Sequence, residues 1–264
     1  MILISSSQNP VFKEVRSLKN RKDREEKGLF CIEGLRSVDE ALKEKADIAG
    51  ILVSEEFAAN QGHSGVLGRM EALDVKMHRV TDKLFREISD TETPQGILAV
   101  MKMKTASMSE LTDTGGLYLI LDSIRDPGNM GTIIRTADAA GFSGVILSKG
   151  CVDPYNPKVL RSTMGSIFHI PLFKAGDLPE AIRLIRSKGI KVYASHLDSA
   201  VSIFDTGMTS GTAVIIGSEA DGVSGEAAAL ADALVRIPMP GRAESLNASV
   251  AAGIIMFEAV RQRQ

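Results

Sequence analysis

The chain has 264 residues, 44% hydrophobic and 24% charged, so it exceeds the ~100–200 residues of a typical single domain and falls outside disordered compositions. Lys and Arg total 31 against 33 Asp and Glu, a formal net charge of -2, which excludes a polycation and makes any nucleic-acid site a local one. Two cysteines, Cys31 and Cys151, exclude a disulfide framework and a thiolate zinc site; with no basic leader in MILISSSQNP and no apolar stretch near ~18 residues, a cytoplasmic protein is expected, with no membrane partner.

The segment from Asn9 to Gly28 predicts a helix, with Asn9 as N-cap, Pro10 in the first turn, and Phe12, Val15 and Leu18 at helical spacing. Seven bases against four acids between Val11 and Lys27 make it a mildly basic arm, readable either as an RNA contact or as a solvated face. From Leu29, short apolar runs (LFCIE, GILVS, VKMHRV, GILAVMKM) alternate with helical stretches, which predicts an α/β unit ending near Met103. KTASMSELTDTGG lacks an apolar period and reads as a linker, giving domains of 1–103 and 116–264 joined by 104–115. Beyond it, YLILD, GVILS, HIPLF, IKVYAS, AVIIG and LVRIPM alternate with helices expected at 129–140, 156–165, 177–188 and 245–261, the pattern of a doubly wound parallel sheet.

Four scattered histidines without ligand spacing make His/Cys metal chemistry unexpected, and neither a GxSxG elbow nor a GxxxxGK[ST] loop is present. Three polar, glycine-marked segments remain, each beside an apolar strand, where ligands of open α/β sheets bind. In LDSIRDPGNMGTIIRTADAAG, Asn129 and Arg135 lie six apart on a helix beginning near Asn129; the segment lacks the third glycine and following acid of a dinucleotide turn, and Arg135 is otherwise a surface charge. In AVIIGSEADGVSGE, Gly217, Ser218, Glu219 and Gly222 follow a buried strand, either for close backbone approach to a ligand or as an ordinary turn with Ser224 as N-cap. RIPMPGRAESLNASVAAGIIMFEAV puts Ser245, Asn247 and Ser249 at the start of a helix, where capping is their ordinary role.

NMGTIIRTADAAGF, IIGSEADGVS and IPMPGRAESLNASVAA, in this order and spacing, resemble the three motifs of the SpoU family of RNA 2′-O-ribose methyltransferases. FCIEGLRSVDEAL and TPQGILAV resemble the substrate-binding domain that precedes the catalytic domain in many members, so the resemblance covers nearly the whole chain. It implies an α/β parallel-sheet catalytic domain with a deep trefoil knot, an exception to unknotted topology, behind a smaller ribosomal-protein-like α/β RNA-binding domain. It also implies a homodimer through the catalytic domains, S-adenosyl-L-methionine as methyl donor, and RNA as partner, with ribosomal RNA preferred over transfer RNA. Gly217, Ile237, Met239 and Leu246 match donor-pocket positions, and Arg135, Asn129, Glu219, Ser245 and Asn247 match the catalytic ones. On the resemblance Arg135 is central, either accepting the proton of the ribose hydroxyl or stabilising its developing charge. Ala248 stands where the motif more often has valine, a small apolar change.

Overall fold

Asn9 caps the first helix through its side chain, which accepts from the backbone N–H of Val11 and Phe12, and Pro10 occupies the first helical position. The expected single basic helix is two: α1 (Pro10–Ser17) and α2 (Arg21–Lys27), the second closed by Gly28 in the left-handed conformation. The computed structural model describes residues 1–73, 75–197 and 199–264, and divides into two units: Met1–Met103 with Tyr155–Leu160, and Lys104–Pro154 with Arg161–Gln264.

The first unit adds β1 (Ile2–Ile4), β2 (Leu29–Glu33), α3 (Leu35–Lys43), β3 (Ile48–Ser54), α4 (Glu55–Ala59), α5 (Ser64–Glu71), β4 (Lys76–Val80), α6 (Asp82–Ile88) and β5 (Ile97–Lys102). Its sheet runs β1-β4-β3-β5-β2, with β5 antiparallel to both neighbours, so β2 and β3 point the same way and end at the same edge. Phe12, Val15 and Leu18 pack with Leu52, Val80, Leu84, Phe85 and Leu98 in its core.

Much of the basic arm holds the fold together. Arg24 is 2% exposed and donates to the carbonyls of Leu18 and Lys19, both at 2.8 Å. Lys19 reaches the Ser89 carbonyl and Asp90, and Lys27 donates to Ser17 Oγ at 2.9 Å. A buried guanidinium needs such partners, and composition alone does not reveal that it has them.

The two N-terminal motif segments meet at one edge of the sheet. The Glu33 carboxylate accepts from Ser89 Oγ at 2.5 Å, Thr91 Oγ1 at 2.6 Å and Asp90 N at 2.9 Å. Gln95 Oε1 accepts from Leu35 N at 2.7 Å and so caps α3, which follows Gly34 at φ +97°. Glu33→Ala removes all three hydrogen bonds and should destabilise this unit by about 2 kcal/mol. Chemical unfolding, with faster amide exchange confined to residues 89–96, checks this.

The second unit contains β6 (Leu117–Asp122), α7 (Pro127–Ala139), β7 (Gly144–Leu147), α8 (Pro157–Thr163, whose first residues belong to the first unit), β8 (Leu172–Lys174), α9 (Leu178–Ser187), β9 (Lys191–Ser195), β10 (Thr212–Gly217), α10 (Gly225–Leu230), β11 (Ala233–Val235) and α11 (Ala248–Arg261). All neighbours in the order β11-β9-β10-β6-β7-β8 are parallel. Helices cover both faces of such a sheet, which is why β6, β7 and β10 are buried along their whole length and, apart from Asp122 and Thr212 at strand ends, carry apolar runs rather than alternating. Ile120, Ile146 and Ile215 pack with Ile182 and Ile185 of α9 and Ala227 of α10; α7 and α11 pack against each other, and α11 against β10.

Residues 104–115, expected as a linker, belong to this second unit. Ala106 N donates to Leu172 O at 2.9 Å, Leu111 is buried, and Asp113 O accepts from the Tyr118 hydroxyl at 2.8 Å. One buried leucine and two backbone hydrogen bonds fix a segment whose composition carries no apolar period. The strand expected over LVRIPM stops at Val235, because Arg236 pairs with the 201–203 segment instead, its N–H donating to Val201 O and its carbonyl accepting from Ile203 N, both at 2.9 Å; Pro238 and Pro240 beyond it have no N–H to give a ladder.

Candidate active site

Four parallel strands, β11, β9, β10 and β6, bring their carboxyl ends to one edge of the second sheet. Gly217, the last residue of β10, sits beside Asp122, the last of β6. A Cβ on Gly217 would lie 1.9 Å from the Gly222 carbonyl carbon, 2.0 Å from its oxygen and 2.2 Å from Val223 N. The sequence leaves two reasons open for glycine here, close approach of a ligand or an ordinary turn; the nearer cause is the chain's own loop folding back over the strand end.

That loop is well tied. Gly222 N donates to Ser218 O at 2.9 Å, Asp221 N to Ser218 Oγ at 3.1 Å, and Gly222 turns the chain at φ +67°. The buried Asp122 carboxylate accepts from Ser224 N at 2.9 Å and from Ser123 Oγ at 3.2 Å, and Ser123 itself holds φ +58°. Ser224 stands at the N-cap position of α10, but its side chain makes no capping bond.

The loop, the segment 235–239 and the segment 245–248 enclose a cavity of about 340 Å³. All four expected donor-pocket residues, Gly217, Ile237, Met239 and Leu246, line it, together with Glu219 and Ser245. His196, Asp221 and Arg236 line it too, and no sequence signal selects them: a lone histidine after a strand carries no motif. The size lies in the range that accepts small molecules, and the walls combine apolar side chains with backbone polar groups at a strand end.

Beside the cavity three polar side chains form one chain of hydrogen bonds. Asn247 Nδ2 donates to Asn129 Oδ1 at 2.9 Å, and Asn129 Nδ2 donates to the Glu219 carboxylate. An ionised carboxylate can only accept, so Glu219 fixes the amide orientation of Asn129, which in turn fixes that of Asn247. Asn247 Oδ1 also caps α11, accepting from Ser249 N at 3.0 Å and Val250 N at 3.3 Å. The capping and functional readings of Asn247 therefore hold together. Because Asn247 is the cap, α11 begins at Ala248 rather than at 245.

Arg135 is not brought to this chain. Helix α7 begins at Pro127, capped by Asp126, so Asn129 lies in its first turn. Six residues later the helix has advanced ~600°, and Arg135 emerges on another side. It is exposed, does not line the cavity, and makes no hydrogen bond or ion pair among the described residues. Neither cysteine offers a nucleophile. Burial pushes the Cys31 thiol up to about 12 and raises that of Cys151, so both stay protonated at neutral pH.

A sequence profile of the SpoU rRNA Methylase family matches residues 116–257, and one of the MRM3-like substrate binding domain matches residues 9–99. The chain is 35% identical to the 23S rRNA (guanosine(2553)-2'-O)-methyltransferase RlmP of Bacillus subtilis, over 96% of this chain and 97% of that protein. It is 31% identical to the 23S rRNA (uridine(2479)-2'-O)-methyltransferase of Streptomyces viridochromogenes, over 98% of this chain and 92% of that one. The crystal structure of the AdoMet-bound rRNA methyltransferase from Sinorhizobium meliloti superposes with a TM-score of 0.88 at 35% identity, covering 99% of this chain and 98% of the other.

Proposed function

The chain belongs to the SpoU rRNA Methylase family, and from that membership we propose that it transfers a methyl group from S-adenosyl-L-methionine to a ribose 2′-hydroxyl of ribosomal RNA. The observation that carries this reading is the meeting of the three motif segments: two enclose the cavity, and the first adds Asn129 to the polar chain beside it. The cavity fits the donor, with apolar walls from Ile216, Ile237, Met239 and Leu246 for its adenine ring and the carbons around its sulfonium and a strand end for its polar groups. When bound, S-adenosyl-L-methionine supplies an activated methyl group on a sulfonium. The two relatives named above act on 23S rRNA, which makes large-subunit RNA the first substrate to try.

The chain's own residues then have to hold the acceptor ribose and manage its proton. Asn129, Glu219 and Asn247 form a pre-oriented polar wall, and Ser245 adds a hydroxyl at the cavity mouth. Alignment of the attacking oxygen supplies much of the acceleration in such transfers. A guanidinium is protonated in neutral water, so Arg135 is assigned to an RNA phosphate and to the charge developing on the ribose oxygen, while water takes the proton. We assign the catalytic unit to a homodimer. Supporting this, α11 exposes Val250 at 49% and Phe257 at 52%, seven residues apart on one helix face, and it packs on α7, where Arg135 stands. The trefoil knot is carried over from family membership alone.

A ribose-methylation map of total RNA from cells with and without the gene tests the activity, followed by transfer of labelled methyl by the purified protein at any site that disappears. One lost site, restored in vitro, is expected. Donor binding without transfer to RNA from the deleted cells would reduce the protein to an RNA-binding factor.

A further inference from the structure

The first unit carries a cavity of its own, about 470 Å³, at the sheet edge where β2 and β3 end. Its chemistry is specific. His63 borders it, and the Phe57 ring covers one imidazole face, with centroids 3.9 Å apart and planes 18° from parallel. Nδ1 of that ring lies 3.2 Å from the Phe57 carbonyl, which can only accept, so Nδ1 donates to it and the ring is held with Nε2 on the opposite edge. What His63 offers the cavity is therefore its other face or its Nε2 edge, held in a fixed orientation.

Gln95 is oriented in the same way. Its Oε1 is committed to Leu35 N at 2.7 Å, and its Nε2 has no partner among the described residues, leaving an amide donor at the cavity wall. Two guanidiniums complete the lining. Arg36 is exposed, with no ion pair or hydrogen bond among the described residues; Arg69 is paired with Asp39, whose carboxylate is shared with Lys43 at 3.0 Å. The lining carries two arginines against one aspartate, in a chain whose overall charge is slightly negative.

A flat aromatic surface, one oriented ring nitrogen, one oriented amide donor and a local excess of guanidinium are complementary to a planar, hydrogen-bonding base with its phosphate. A stacked duplex cannot present a base to such a recess, whereas a bulged or looped-out nucleotide can. An acidic peptide would satisfy the arginines but would leave the oriented imidazole and amide without a role. Resting on the reading of this chain as an RNA-modifying enzyme, we propose that the cavity bounded by Arg36, His63, Arg69 and Gln95 takes one unpaired RNA nucleotide, its base against His63 and Gln95 and its phosphate on Arg36. The first unit would thereby read a feature of folded RNA separate from the ribose that is methylated.

The test uses the full-length protein and a 23S rRNA transcript carrying 4-thiouridine. Affinity is measured by filter binding across a salt series, and contacts by photocrosslinking. His63→Ala is expected to weaken binding about tenfold, the scale of one base–aromatic stack, and to remove a crosslink within residues 60–70. Arg36→Gln should lower the salt slope by about one, as loss of a single phosphate contact does, whereas Lys83→Gln on α6, the same charge change elsewhere on this unit, should not. His63→Gln keeps a polar side chain without the ring and gives the same loss if stacking is the cause; thermal unfolding of each variant identifies any that fails to fold. Affinity and slope that match wild type in the Arg36 and His63 variants would overturn the proposal, as would a loss reproduced by Lys83→Gln. Displacement of the RNA by polyglutamate as readily as by a single-stranded oligoribonucleotide would assign the cavity to acidic peptide instead. The two readings fail separately: transfer by wild type with no change of KM for RNA in these variants sinks the nucleotide site alone, and RNA binding through this cavity without transfer sinks the enzymatic reading alone.

Discussion

Arg135→Ala is expected to lower methyl transfer by at least ~100-fold while leaving donor affinity within about twofold, the loss seen when one preorganised charge-stabilising group is removed. The structure makes the experiment clean. Arg135 is exposed on α7, holds no other side chain in place among the described residues, and is absent from the cavity assigned to the donor. Its removal should therefore cost little stability, and a lost rate can be read as lost chemistry. Arg135→Lys keeps the charge but not the planar fork that matches a phosphate, and should recover only part of the rate. Single-turnover transfer and calorimetric donor binding separate the two halves of the site. Weakened donor binding in the alanine variant would mean that Arg135 belongs to the other half.

Gly217→Ala is expected to abolish function by the opposite route. The new Cβ would overlap the backbone of Gly222 and Val223 at 1.9–2.2 Å, and backbone atoms cannot swing aside as the end of a flexible side chain can. The loop over β10 must then shift by an ångström or more, a displacement of the size that costs ~100-fold where binding geometry matters. Overpacking of this kind destabilises by about 1–3 kcal/mol. Donor affinity should fall at least ~100-fold and the melting temperature should drop, with the usual upward shift on adding donor missing. Gly225→Ala, where nothing lies within 4 Å, is the control and should match wild type on both measures. Normal donor binding by the Gly217 variant would show that the 218–223 loop does not shape the donor site.

The three motif segments were readable because each concentrates unusual residue types into a short window. IIGSEADG couples an apolar strand to a polar glycine turn, and SLNAS places small capping residues before an apolar helix. Boundaries were less legible. The helix expected from Asn129 starts two residues earlier, because Asp126 accepts from Asn129 N at 2.8 Å and Pro127 is suited to the first turn. Helix α11 starts three residues later than expected, because Asn247 is its cap. The function of the N-terminal motifs was hidden as well: Glu33 and Gln95 lie 62 positions apart in sequence, yet they tie the 89–95 loop and the start of α3 to one sheet edge.

The order of apolar strands and amphipathic helices, and the resemblance carried by contiguous motifs, are local properties, so the sequence by itself determined the α/β class, the chemistry and the residues to examine. The tertiary structure decided which of those residues share a surface. Asn129, Glu219 and Asn247 meet across 118 positions of chain because parallel pairing sets the ends of β6 and β10 side by side. Arg135, six residues from Asn129, points elsewhere because a helix turns. The same holds for the arm: seven bases look alike in sequence, but only packing decides that Arg24 is buried on carbonyls while Lys13 and Lys22 stay in solvent. Periodicity is a short-range signal; contact between distant segments is fixed by burial and hydrogen-bond pairing, which no window of sequence contains.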